Sequence, residues 1–308
     1  MARPPFGAGP ATVSSSSAGI GIAIKIASTC CMAVMFSIVK IVSPRLPPGE
    51  IVFMRSLVSA LLILGVIWCG RDRLGGLRTS DPWGHLTRSL LGASSMFLAF
   101  IAISSMPLAS ASAISFTTPI MITLLAVLVL REAAGPLRWV AVGTGIAGVL
   151  VIMWDQLQLD GDNPALPLGV ASALLSAMLA AAAMIALRRI AAREPADRIA
   201  FYFMFIAMLM GLASLPFGWS WPLPEDGLLL LVAGIVGGLG QFLMSLSYRY
   251  AQASVLAPFD YLNLLWLTLI GALLLSEPVG PPFYAGAALI IAGGLLVALE
   301  RRRPGGLR

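Results

Sequence analysis

The side chains of this 308-residue chain that could bind a ligand or move a proton gather in three short stretches. The first holds Asp260, Tyr261, Asn263 and Trp266 within one apolar run. A carboxylate in hydrocarbon is costly, so it must face a cavity or a partner. Two readings stand for Asp260: a proton or substrate-amine site, or a structural partner of Arg249 near the interface. The second stretch holds Gln241, Ser245 and Tyr248, whose i, i+4, i+7 spacing puts them on one helical face. A polar stripe on a membrane helix points to the bundle interior. The third is Ser110, Ser112, Ser115, Thr117, Thr118 and Thr123 around Pro119. Proline frees a backbone carbonyl, which the hydroxyls can satisfy structurally. A helix broken in this way also exposes polar groups to substrate, and both readings stay open.

Lys40 and Arg55 each have the charge to attract a carboxylate, but snorkelling to an interface accounts for both without a ligand. Lys25 reads as an anchor at the opposite end of the first helix. Other motifs read as packing. Gly143-Thr144-Gly145-Ile146-Ala147-Gly148 fits a dinucleotide pattern, yet it lies inside an apolar helix with no preceding strand. Close helix approach explains it, and also the glycines of 234–240. Cys30, Cys31 and Cys69 lack metal-ligand spacing, and His85, the single histidine, falls in a basic loop. No cofactor and no metal is expected.

The elements that position these residues follow from composition. Apolar residues make up 58% of the chain and charged residues 11%, against roughly 25% charged in soluble domains. Most of the surface must therefore meet lipid. The expected fold is all-α and integral to the membrane, with ten transmembrane helices at 19–42, 50–70, 88–105, 108–130, 136–154, 167–188, 198–217, 227–249, 253–275 and 282–299. Residues 1–18 should form a disordered cytoplasmic tail, 155–166 a periplasmic linker and 301–308 a basic cytoplasmic tail. The net charge of +6 has no contiguous basic face, which argues against nucleic acid.

Orientation follows from the arginines, because cytoplasmic loops retain positive charge. With the N-terminus inside, inner segments hold Arg71, Arg73, Arg78, Arg88, Arg131, Arg138, Arg188, Arg189, Arg193, Arg198, Arg249 and Arg301 to Arg303. Outer segments hold Arg45 against Glu50, Asp155, Asp160, Asp162, Glu225, Asp226 and Glu277. Trp68, Trp83, Trp139, Trp154, Trp219 and Trp221 fall at helix ends, as interfacial indoles do, and Trp266 alone sits mid-span.

The chain also repeats itself. Leu130-Arg131-Glu132-Ala133-Ala134-Gly135-Pro136 aligns with Leu275-Ser276-Glu277-Pro278-Val279-Gly280-Pro281, an offset of 145 that pairs Phe97 with Phe242. Either phenylalanine could line a cavity or serve ordinary packing. Units 19–154 and 167–300 would each hold five helices, an odd number, so the copies should be inverted. Inverted repeats are common in secondary transporters, with the site near the midplane between them.

Pro47-Pro48-Gly49-Glu50 with Phe53-Met54-Arg55, and Met106-Pro107-Leu108-Ala109-Ser110-Ala111-Ser112-Ala113 leading to Glu132, resemble the drug/metabolite transporter superfamily of EamA type. Within it the chain is most similar to bacterial exporters of aromatic amino acids. One departure is Leu264 where Pro119 stands in the first half, with Pro258 earlier. The resemblance implies a secondary transporter in the bacterial inner membrane that exports aromatic or other neutral amino acids by alternating access. Flavins, nucleosides and drugs remain alternatives. It also implies a cavity between the halves, lined by helices one, three, four, six, eight and nine. The residues expected there are Asp260, Tyr261, Asn263, Trp266, Gln241, Tyr248, Thr118, Ser115, Phe97 and Phe242.

A membrane-embedded enzyme would need paired acids, histidines or a nucleophile–base set, and a channel would need charged rings or a filter loop. Neither pattern is present, nor is a nucleotide motif that would call for an ATPase subunit. Besides a small-molecule substrate and the bilayer, no partner is implied, and the chain reads as a monomer.

Topology is open to direct test. With native cysteines removed, an impermeant thiol reagent added outside should label a cysteine placed at 160 and spare one at 303. The opposite pattern would reverse the orientation.

Overall fold

The computed structural model describes residues 15–69, 77, 79–118, 120–122, 124–125, 136–160, 163–190, 194–250, 259–260, 262–277 and 280–300. The elements with defined bounds are α1 (Ser15–Val42), α2 (Pro48–Cys69), α3 (Pro82–Ser105), α4 (Leu108–Ser115), α5 (Pro136–Asp160), α6 (Leu166–Ile190), α7 (Ala196–Leu212), α8 (Pro224–Tyr250), α9 (Leu262–Leu274) and α10 (Pro281–Glu300). A 3-10 turn at Leu215–Phe217 follows α7, and no strand occurs among the described residues. Pro119, Pro258, Tyr261, most of the motif at 130–136, and the tails at 1–14 and 301–308 lie outside the described residues.

Local chemistry sets the helix starts. α2, α3, α5, α8 and α10 all open on proline, whose fixed φ suits the first turn and whose missing N–H would be unpaired there anyway. Asp81 caps α3 by accepting from the Gly84 N–H at 2.8 Å. That helix therefore begins at Pro82 instead of residue 88. His85 consequently lies on α3 and not in a loop; it is buried against Tyr202 with ring centroids 4.7 Å apart.

By length and composition, six helical stretches can cross a membrane: Gly19–Val42, Pro48–Trp68, Pro82–Ser105, Leu166–Leu187, Asp197–Phe217 and Pro224–Met244. Shorter apolar helices accompany them, among them α4, Trp139–Trp154, Leu262–Leu274 and Pro281–Leu296. Leu61, Val66, Leu150, Leu168, Leu228, Leu265 and Leu273, spread over α2, α5, α6, α8 and α9, are exposed, an amount of apolar surface that water would penalise. The protein is thus an all-helical, multi-pass membrane protein.

The most extensive helix pairings persist when α1–α5 and α6–α10 are exchanged. α1 on α8 answers α6 on α3, α2 on α8 answers α7 on α3, and α1 on α9 answers α6 on α4. The remaining large contacts, α2–α7, α4–α9 and α5–α10, map onto themselves.

The α5–α10 crossing shows why glycine is needed. A Cβ at Gly148 would lie 2.6 Å from the Gly286 carbonyl oxygen, and one at Gly293 2.8 Å from that of Ala141. The offset of 145 maps each of these contacts onto the other, and the order of the residues makes the helices antiparallel. Glycines of α8 do the same for α1 and α2. The Ser28 hydroxyl donates to the Gly240 carbonyl at 2.8 Å and that of Ser59 to Gly234 at 2.9 Å. In α3 and α6, Ser95 and Ser176 donate to each other's carbonyls at 2.9 and 2.8 Å. Small residues and hydroxyls are the usual adhesive where lipid offers no hydrophobic drive.

Glu194, in the turn before α7, ties that turn to the start of α3. It accepts from the Ser80 N–H at 2.9 Å, the Thr79 hydroxyl at 2.9 Å, Arg198 at 2.6 Å and the Ser80 hydroxyl at 3.0 Å. Burial alone would raise its pKa, but these four donors outweigh burial and hold it at about 2.

Two outcomes are expected. Gly286→Leu forces a side chain into the α10–α5 backbone contact and should lower stability by about 1–3 kcal/mol, read as a lower thermal midpoint in detergent. Glu194 is depressed from 4.5 to about 2, so its contribution is present above pH 4.5 and is lost as pH falls towards 2. Glu194→Gln should lower the midpoint at pH 7 and flatten its decline in acid.

Candidate functional site

The chain breaks between α3 and α4 at Met106-Pro107, where Met106 is extended (φ −150°, ψ 168°). The break leaves carbonyls and an N–H without helical partners. Lys40 of α1 donates to the Ile103 and Met106 carbonyls at 2.8 and 2.7 Å. Glu277 accepts the Leu108 N–H at 2.7 Å and faces Lys40 at 3.4 Å. Lys40 is therefore a cap on α3 and not a snorkelling anchor, a role decided by a partner 63 residues away.

Beside this staple lies a cavity of about 200 Å³. Phe36 of α1 and Ala99 and Ile103 of α3 form one side; Leu108, Ala111, Ser112, Ser115 and Phe116 of α4 and its end form another. Asn263 and Leu267 of α9 close it. Among the described residues α6 and α8 contribute none to the lining.

Of the residues expected at a site, Ser115 and Asn263 line this cavity. The Ser115 hydroxyl donates to the Ala111 carbonyl at 2.9 Å and the Thr118 hydroxyl to that of Ser115 at 2.7 Å. With those protons committed, the oxygens remain as acceptors. Asn263 Oδ1 and Trp266 Nε1 are buried and have no hydrogen-bond partner among the described residues. They sit three positions apart on α9, one an unmet acceptor and the other an unmet donor. Trp266 and Phe97 pack against the main core. Phe242 is largely exposed and is not a lining residue, and neither is Gln241, which is half-buried on α8. Tyr261 and the side chain of Tyr248 lie outside the described residues.

Asp260 is paired with Lys25 of α1 at 2.6 Å. Lys25 is almost fully buried, so it is not a snorkelling anchor. α1 is thus joined by ion pairs at two levels, Lys25 to Asp260 and Lys40 to Glu277. Arg55 is also fully buried, among α1, α2, α3 and α8, and does not reach an interface. Sequence reasoning missed the ion pairs because both join residues more than 200 positions apart. The signal available was that each partner is a charge within or beside an apolar run. No group of three possible metal ligands occurs among the described residues.

The EamA-like transporter family matches residues 19–154 and again 167–299. The riboflavin transporter of Rhizobium johnstonii is 31% identical over 230 residues, covering 75% of this chain and 74% of that one. The pseudopaline exporter of Pseudomonas aeruginosa is 30% identical over 292 residues, covering 92% and 97%. A solved crystal structure with 22% identity superposes with a TM-score of 0.62 over 95% of this chain and 100% of that one, which speaks to fold alone. A match over both halves, with small-molecule transporters as relatives along most of its length, places the chain in the EamA-like transporter family.

Proposed function

We propose that the chain is a secondary transporter exporting small amphipathic metabolites, aromatic or other neutral amino acids first among them, across the bacterial inner membrane. Ten spans form two inverted five-helix halves that expose the site to each side in turn, with both termini cytoplasmic. The cavity carries this reading. It lies where α4 meets its counterpart α9, with phenylalanine walls for a flat apolar body and an unmet acceptor, Asn263 Oδ1, for a donor group. Antiparallel crossing of the counterparts α5 and α10 supports inversion, because copies related by an axis along the membrane normal would run parallel.

The two ion pairs of α1 fit a gating role. Lys25 and Lys40 are 15 residues apart, about 22 Å along a helix, and Phe36 lies between them. Opening either side of the cavity by separating α1 from α9 would break one pair and leave the other.

Proteoliposomes loaded with labelled tryptophan, phenylalanine or riboflavin, with and without a pH gradient, test the function. Asn263→Ala should lower efflux of the carried compound at least tenfold at unchanged protein level. Asp260→Asn should change the balance of inward- and outward-facing states, read by thiol accessibility. Parental behaviour in both variants would remove this cavity from the transport path.

A further inference from the structure

Resting on the transporter reading, we propose that Arg55 is the binding site for an anionic group of the substrate, most simply a carboxylate, behind the aromatic wall of the cavity. Among the described residues four other cations have carboxylate partners: Lys25 with Asp260, Lys40 with Glu277, the half-exposed Arg45 with Asp226 and Arg198 with Glu194. Arg88 has none, but it lies near the start of α3 and stacks 4.2 Å above the Phe203 ring, away from the cavity wall. Arg55 is 2% exposed, deep in the bundle, and also lacks a carboxylate among the described residues. Its Nε has no hydrogen-bond partner there.

What surrounds Arg55 compensates its charge poorly. Nη1 meets the Met96 sulfur, a weak acceptor, and the guanidinium lies 5.8 Å from the Phe100 ring centroid. Gly237 of α8 keeps space open at the head group, since a Cβ there would lie 3.2 Å from Nε. A guanidinium stays charged, so without a counter-ion this site is expensive to maintain. Phe100 packs edge-on against Phe36 with centroids 6.4 Å apart, and Phe36 lines the cavity. The cation is thus separated from the cavity by one aromatic pair. Among the described residues the cavity lining carries no charge, so a ligand that brings a carboxylate must find its counter-ion beyond them. The division of labour is direct: hydroxyls and Asn263 take the neutral and donor parts, and Arg55 takes the anion through a charge-assisted, two-pronged contact.

The test compares matched acids and amides on the purified full-length protein in detergent, using indole-3-propionate against indole-3-propionamide and 3-phenylpropionate against 3-phenylpropionamide. Calorimetric titration should show the parent binding at least one acid tenfold or more tighter than its amide. Arg55→Met should bring the pair within twofold and leave amide affinity unchanged, with a ligand-free thermal midpoint equal to or above the parent's. Arg55→Lys should retain at least a threefold acid preference. An acid preference absent from the parent, or one that persists in Arg55→Met, overturns the assignment. So does a lower midpoint in Arg55→Met with unaltered preference, which marks a purely structural arginine. Amide transport by the parent in proteoliposomes keeps the transporter reading standing if the Arg55 assignment falls, whereas failure to carry any of the four probes or the amino acids counts against the reading itself.

Discussion

No backbone N–H or C=O can be left bare where water is scarce, and the tight connection between α3 and α4 meets that demand through side chains from elsewhere in the bundle. Lys40 and Glu277 supply the missing donor and acceptor from α1 and from the turn after α9. One ion pair therefore caps two helix ends and ties elements from both halves of the chain. Because the break is stabilised from outside α3 and α4, α4 can leave the line of α3 and its hydroxyls can stand beside a cavity.

The bundle around the break is assembled mainly from small residues. Glycines at 148, 286 and 293 let α5 and α10 touch backbone to backbone, and serines bridge α1 to α8 and α3 to α6. Close approach maximises dispersion and permits hydroxyl-to-carbonyl bonds, which together replace the hydrophobic drive that lipid cannot give. The same offset of 145 that relates the sequence halves maps the α5–α10 contacts onto each other, so a repeat in sequence has become a repeat in packing. At these crossings the glycines also make room for larger neighbours, Ile290 beside Gly148 and Ile152 beside Gly286.

Charge is distributed under the same constraint. Asp226 pairs with Arg45, Glu50 accepts the Ser220 N–H, and Glu194 collects four donors at the start of α3. Acids are committed to holding turns and helix ends, with few left to neutralise cations deeper in the bundle. That imbalance leaves Arg55 and Arg88 without a carboxylate among the described residues, and buried polar atoms of Ser56, His85, Ser89, Asn263 and Trp266 also lack hydrogen-bond partners there.

The sequence by itself determined the environment and the broad plan. Low charge and long apolar runs demand lipid, and the repeat at 145 pairs the halves, because these are properties of local composition and periodicity. The Asp81-Pro82 pair starts α3 ahead of its apolar run and carries His85 into the helix. Asn263 and Ser115 were legible as site candidates, since polar groups in apolar runs must converge somewhere. Only the tertiary structure decided which charges meet. Lys25 and Lys40 read as interfacial anchors until helices far apart in sequence brought Asp260 and Glu277 to them, and Arg55 read the same way until folding surrounded it with sulfur and aromatic groups instead of an acid. Long-range electrostatics depends on how helices rotate about their axes. That rotation is set by glycine and serine contacts across the whole bundle, which no local stretch of sequence encodes.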